Sequence, residues 1–167
     1  MEGDFKIDLL SVCKLFEKYS VQYMIIGGTA VAYHGYSRMS KDTSGEICEK
    51  PDIDVWYNPT YSNYYNILKV IESLGKDISR YKDEQNIDPN KSFFKLDFTN
   101  FTLDLLPKIQ SKIRFTDANA KKDSVNIDGI EMHFISFEDL VDDKKSSGRK
   151  KDIEDIEQLK KSNNKNI

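Results

Sequence analysis

The sequence predicts a single-domain fold of the α/β (α+β) class, and three observations carry that expectation. Apolar residues recur at helical spacing in the opening segment, after residue 60 and again near the C-terminal end. Between those segments lie short runs that are either apolar or alternate with polar residues, the patterns of buried and half-buried strands. The length of 167 residues fits one core large enough to fold unaided, and no internal repeat divides it.

Leu9, Val12, Cys13 and Phe16 mark one face of a first helix. "VQYMIIGG" (21–28) is a short buried strand ending in two glycines, and "TAVAYHG" (29–35) is a helix that Gly35 stops. Residues 36–50, "YSRMSKDTSGEICEK", are polar and aperiodic and read as an inserted loop. "DIDVWY" (52–57) alternates, with Asp52, Asp54 and Trp56 on one face and Ile53, Val55 and Tyr57 on the other. Thr60 caps a helix whose inner face is Tyr64, Ile67, Leu68, Ile71 and Leu74, and Gly75 ends it. After a polar loop, "FFKLDF" (93–98) and "TLDLLP" (102–107) are close enough to form a hairpin. "VNIDGIEMHFI" (125–135) is a second hairpin that turns at Asp128-Gly129. Ser136 and Asp139 form a capping pair ahead of "FEDLVDDKK" (137–145). "SSGRKKD" (146–152) breaks that helix, Ile153, Ile156 and Leu159 mark a last short one, and 162–167 is a polar tail expected to fray.

Charge is abundant but balanced: 25 Lys and Arg against 28 Asp and Glu leave a net charge of -3. That excludes a general nucleic-acid-binding surface, although a small basic pocket fits inside a near-neutral total. Cys13 and Cys48 are too few for a disulfide framework or a cysteine zinc site, so a reducing cytoplasm is the expected location. The acidic start "MEGDFKIDLL" does not read as a signal peptide. No apolar run approaches the roughly 20 residues of a membrane helix, so no membrane partner is expected.

Three features bear on chemistry. Gly27-Gly28-Thr29 stands where a strand hands over to a helix, where backbone N–H groups attract phosphate, although Gly-Gly there also reads as a plain turn. Asp52 and Asp54 share one strand face and suit a hard cation such as Mg²⁺, or else are simply solvated acids on an exposed face. Asp104 shifts that balance. Flanked by Leu103, Leu105 and Leu106, it belongs to a buried strand, where a carboxylate needs a charged partner. A cation held by Asp52 and Asp54 supplies one, and paired metals about 4 Å apart serve phosphoryl and nucleotidyl transfer. His34 reads as packing or capping, His133 as structural, and Trp56, Tyr57, Tyr61, Tyr64 and Tyr65 as core and rim.

Taken together, "IIGGTAVAYHGYSR", "PDIDVW", "FTLDLLP" and "FISFEDLVDDKKSSGRKKDIEDIEQLK" resemble the minimal bacterial nucleotidyltransferases related to DNA polymerase beta, including toxin–antitoxin and abortive-infection types. The resemblance runs from about residue 20 to about residue 160 and implies the nucleotidyltransferase fold, a mixed sheet flanked by helices. It implies that Gly27, Gly28 and Thr29 hold the triphosphate, that Asp52 and Asp54 bind two Mg²⁺ ions, and that Asp104 completes one metal site and serves as, or orients, the base. Arg38, Lys145 and Arg149 would contact the nucleotide, with Lys144 and Lys150 in the same basic segment. Arg38 also reads as a solvated loop arginine, and the basic run as a solvated helix end.

The sequence departs from the family at 39–50, which separates the arginine from the D-x-D pair. Asp42 in "RMSKD" mimics the usual approach to the first aspartate, but its neighbours do not alternate as a strand. The implied activity is transfer of NMP from an NTP such as ATP to an acceptor hydroxyl on RNA, a protein or a small molecule. The alternative is a non-catalytic binding module of the same fold, antitoxin-like or regulatory. A partner protein or homodimer is expected to supply the surface that recognises the acceptor.

Overall fold

The computed structural model describes residues 3–36 and 50–163. Helix α1 (Gly3–Lys18) buries Leu9, Val12, Cys13 and Phe16 on a single stripe, as their spacing requires. The chain then runs through β1 (Tyr23–Ile25), α2 (Gly27–Tyr33) and β2 (Asp52–Tyr57). Helix α3 (Tyr61–Ser73) starts where the Thr60 side chain accepts from the Asn63 N–H and ends before Gly75, whose φ of 85° suits a residue without a Cβ. Strands β3 (Phe94–Asp97) and β4 (Thr102–Leu106) form the first hairpin, and β5 (Asp123–Ile127) and β6 (Ile130–Phe134) the second. Asp128 and Gly129 both have positive φ, 53° and 82°, as a two-residue turn between right-twisted strands demands.

The six strands form one sheet in the order β3-β4-β2-β1-β6-β5. β1 runs antiparallel to β2, while β2–β4 and β1–β6 are parallel, so the sheet is mixed and flanked by helices as expected. α1 packs on β6 and α3, and α2 packs on β2. One face of the β3-β4-β2 half is apolar: Phe94, Leu96, Leu103, Leu105, Ile53 and Val55 are all buried. Each such side chain contributes about 1.5–3 kcal/mol on leaving water. The opposite face carries the alternate residues, and register sets them in two rows. Lys95, Asp104 and Asp54 lie across three strands in one row, and Asp97, Thr102 and Asp52 in the next.

Several elements differ from the sequence reading. Two short helices, α4 (Ser79–Lys82) and α5 (Phe115–Asn119), and a single 3₁₀ turn (Pro89–Lys91) lie in segments without helical periodicity. A helix of about one turn is too short to leave such a period, and α5 forms because Phe115 packs edge-on against Trp56 at 5.3 Å. α6 (Phe137–Ser147) is capped by Ser136, which accepts from the Asp139 N–H at 3.2 Å. The capping pair is only half formed, because the Asp139 carboxylate accepts from Lys121 Nζ at 2.7 Å instead. Gly148, left-handed at φ 64°, separates α6 from α7 (Lys150–Asn163). α7 is longer than its apolar marks suggested, and Asn163 at its end donates to the His34 carbonyl at 2.8 Å; residues 164–167 of the tail expected to fray lie outside the described residues. Among the described residues no helix is long and apolar enough to cross a membrane.

Candidate active site

The aspartates of β2 sit in the half of the strand that the core does not need. Asp52 is exposed and Asp54 half-buried, whereas Val55, Trp56 and Tyr57 are buried. The β2–β4 register places Asp104 directly opposite Asp54 and Thr102 directly opposite Asp52. Asp104 lies on an interior strand, as its leucine neighbours indicated, but its own side chain projects on the polar face. The Thr102 hydroxyl donates to Asp52 Oδ1.

The strand-to-helix turn meets this row. The Ile26 N–H donates to the Asp54 carbonyl at 2.9 Å, and Gly27 then turns the chain into α2 with φ 63°. A Cβ on Gly27 would collide with Asp54 Oδ2 and come within 3.0 Å of Asp54 Cβ and Cγ, so glycine is required by contact as well as by φ. Gly28 differs: a Cβ there would meet nothing within 4 Å, leaving room for a ligand to approach its backbone. Thr29 is buried. The helix begins at Gly27, two residues earlier than its sequence suggests.

The electrostatics of the row are those of crowded acids. Burial, followed by the nearby charges of Asp104 and Asp52, pushes the Asp54 carboxyl up to about 6, with Lys151 and Lys144 opposing the shift. Burial also raises Asp104, against the pull of Lys95 beside it in the register. Asp104 Oδ1 is buried and has no hydrogen-bond partner among the described residues. Such an atom costs stability unless something outside the chain satisfies it. Among those residues no group of three His, Cys, Asp or Glu side chains is placed to hold a metal ion. The donor chemistry nonetheless fits a hard divalent cation: adjacent carboxylates, one with an orphaned oxygen, on an open face.

The basic segment divides into two roles. Lys144 is buried and pairs with Asp152 at 3.1 Å and Asp155 at 2.9 Å, both of them buried. It therefore does not extend to a phosphate; it ties α6 to α7, which corrects the reading of 144 as part of a solvated or ligand-facing run. Arg149 holds Asp152 through Nε at 2.7 Å and Nη2 at 3.3 Å while staying exposed to solvent. Burial works against Asp152, yet bonds from Arg149, Ser147 and Lys144 hold it down at about 2. The Arg149 guanidinium is itself raised, by Asp152 first and by the fields of Asp54 and Asp143. Lys145 and Lys150 are exposed. Lys95 and Lys151 are cations beside the acids that the sequence reading missed. The alternating pattern of "FFKLDF" is the signal that places Lys95 on the polar face, whereas nothing local to Lys151 points at Asp54. Arg38, Asp42 and Cys48, with most of the 39–50 insertion, lie outside the described residues.

The two histidines and Trp56 each bond within the fold. His34 Nε2 donates to the Ile135 carbonyl at 2.8 Å, His133 bonds Ser124 at 2.8 Å, and the Trp56 indole N–H donates to the Pro107 carbonyl at 3.2 Å. Tyr61 and Tyr65 are exposed, at 60% and 48%.

No family model matches the chain, and no curated protein matches it. Solved structures do. The antibiotic-resistance factor ANT(2'')-Ia aligns with a TM-score of 0.59 at 16% identity, over 97% of this chain and 85% of its own. The lincosamide antibiotic adenylyltransferase LnuA, in its lincomycin-bound crystal structure, gives 0.57 at 18% identity over 96% of both chains. An antigenic nucleotidyltransferase-like protein from Paracoccidioides brasiliensis gives 0.53 at 14% identity, over 95% of this chain and 76% of its own. The fold is that of the nucleotidyltransferases.

Proposed function

We propose that this chain is a metal-dependent nucleotidyltransferase that moves a nucleoside monophosphate from an NTP to an acceptor hydroxyl. The observation that carries the reading is Asp104 Oδ1, buried and unpartnered beside Asp54, whose own carboxylate abuts the Gly27 turn. Asp52, Asp54 and Asp104 would hold Mg²⁺. When bound, two such ions neutralise the leaving pyrophosphate and make the acceptor oxygen more acidic. The remaining work falls to the chain itself. The open backbone at Gly28 and the N–H groups of the turn receive the triphosphate, and the exposed Arg149 and Lys151, whose charges interact with Asp54, supply positive charge there, with Lys145 expected to add to it. Asp104, beside Asp54, serves as or orients the base that takes the proton of the acceptor hydroxyl. An O–Pα bond then forms as the bond to pyrophosphate breaks.

The named ligands of the structural neighbours support a small-molecule acceptor and an adenylyl donor as the first to test. LnuA is seen with lincomycin and ANT(2'')-Ia with adenylyl-2''-tobramycin. The decisive experiment incubates the purified chain with each α-labelled NTP, Mg²⁺, and either aminoglycosides, lincosamides or a cell extract. Label enters an acceptor with the wild-type chain and not with Asp54→Ala or Asp104→Asn. Label that persists in both variants refutes the reading.

A further inference from the structure

We propose that Thr102 is a positioning residue: its hydroxyl holds the Asp52 carboxylate in one rotamer and so presets the remaining oxygen for a divalent cation. This rests on the reading of the acid rows as a cation and nucleotide site. The parallel β2–β4 register gives each acid of β2 one partner from β4, a hydroxyl for Asp52 and a carboxylate for Asp54. Thr102 Oγ1 donates to Asp52 Oδ1, so this bond engages one of the two carboxylate oxygens.

The donor is well fixed and the acceptor is not. Thr102 is β-branched and paired on both sides, to Asp52 and to Asp97, and its N–H donates to the Pro51 carbonyl at 3.0 Å. Asp52 is the first residue of its strand and is exposed, so without a restraint its side chain would sample several rotamers. The rival acceptor in the row is already engaged, because Lys50 Nζ binds Asp97 Oδ1. The Thr102 hydroxyl bonds Asp52 rather than Asp97. Groups that orient a metal ligand in this way commonly set its affinity as strongly as a direct contact does.

The test uses Thr102→Val, which keeps the branched shape and strand preference, and Thr102→Ser, which keeps the hydroxyl. Mn²⁺ is titrated by electron paramagnetic resonance into the full chain with a non-hydrolysable ATP analogue. The Asp52 χ1 angle is measured separately by NMR coupling constants in metal-free protein. Wild type and Thr102→Ser should bind alike with a single Asp52 rotamer, and Thr102→Val should bind about tenfold more weakly with averaged couplings. In an Asp52→Ala background, which leaves the Thr102 hydroxyl no acceptor at 52, Thr102→Val should cost nothing further. If Thr102→Val matches wild type in both measurements while Asp54→Asn loses Mn²⁺, the proposal is overturned and the reading of the site stands. If the wild-type chain binds no Mn²⁺ beside the analogue, the reading of the site fails and the proposal with it.

Discussion

Replacing Asp54 with asparagine should stabilise the metal-free protein, and the size and pH window of the effect follow from the acid row. Burial and the charges of Asp104 and Asp52 lift this carboxyl from its ordinary 3.8 to about 6. At about 1.4 kcal/mol per pH unit, that difference amounts to about 3 kcal/mol against the charged native form. Between roughly pH 4 and 6 the native state holds a proton that the unfolded chain has already released. Wild-type stability therefore falls as pH rises through this window and stays lowered above it. Asparagine resembles the neutral acid and escapes the penalty. After some solvent screening, Asp54→Asn should gain about 2–3 kcal/mol at pH 8, raising the midpoint by roughly 4–12 °C for a domain of this size. The gain should fall to about a third of that at pH 4.5 and vanish only below the unfolded value of 3.8. Urea and thermal unfolding of both proteins at pH 4.5 and 8, with a chelator present so that no cation offsets the repulsion, measures it. Equal stability at pH 8, or a gap of the same size at both pH values, would refute the claim that crowded, desolvated charge sits at this position.

Two further outcomes follow from neighbouring contacts. Gly27→Ala meets a positive φ and a collision with the Asp54 carboxylate at once, so it should lose about 1–2 kcal/mol to backbone strain and abolish labelling by displacing Asp54; an active, fully stable alanine variant would contradict the contact. Lys144→Met leaves Asp152 and Asp155 buried without their shared lysine and should cost about 3–5 kcal/mol in urea unfolding at pH 7; a loss below about 1 kcal/mol would mean that the three behave as a surface pair.

Legibility in the sequence followed how local each determinant is. α1 and α3 could be read because the stripes that bury them lie within single helices. The hairpin turn at Asp128-Gly129 could be read because two consecutive residues carry its whole geometry. The alternation of "DIDVWY" gave the two faces of β2, but the pairing of Asp54 with Asp104 is a register between adjacent strands that α3, α4 and β3 separate in sequence, which no local pattern encodes. The Asp139 carboxylate illustrates the failure. Ser136 and Asp139 have capping-box spacing, yet Lys121 from another segment takes the acid. Lys144 and Lys145 look alike in sequence, and only the arrival of Asp152 and Asp155 from α7 makes one a core cation and leaves the other at the surface.

The two aspartates of β2 are tolerated because the strand divides its tasks along its length. On the polar face the first two positions carry the acids, Asp52 exposed and bonded by the Thr102 hydroxyl and Asp54 half-buried. The third, Trp56, closes that face: its ring meets Phe115 of α5 and its N–H reaches the Pro107 carbonyl. Burial raises both Asp54 and Asp104 despite the cations near them. A solvated D-x-D would show neither that shift nor an unpartnered buried oxygen. A row selected for stability alone would not retain Asp104 opposite Asp54, since replacing either acid with a neutral residue relieves the repulsion. The cost is intelligible if a cation and a triphosphate complete the row, and the Asp54→Asn gain in chelator, set against its loss of labelling in Mg²⁺, measures both halves of that exchange.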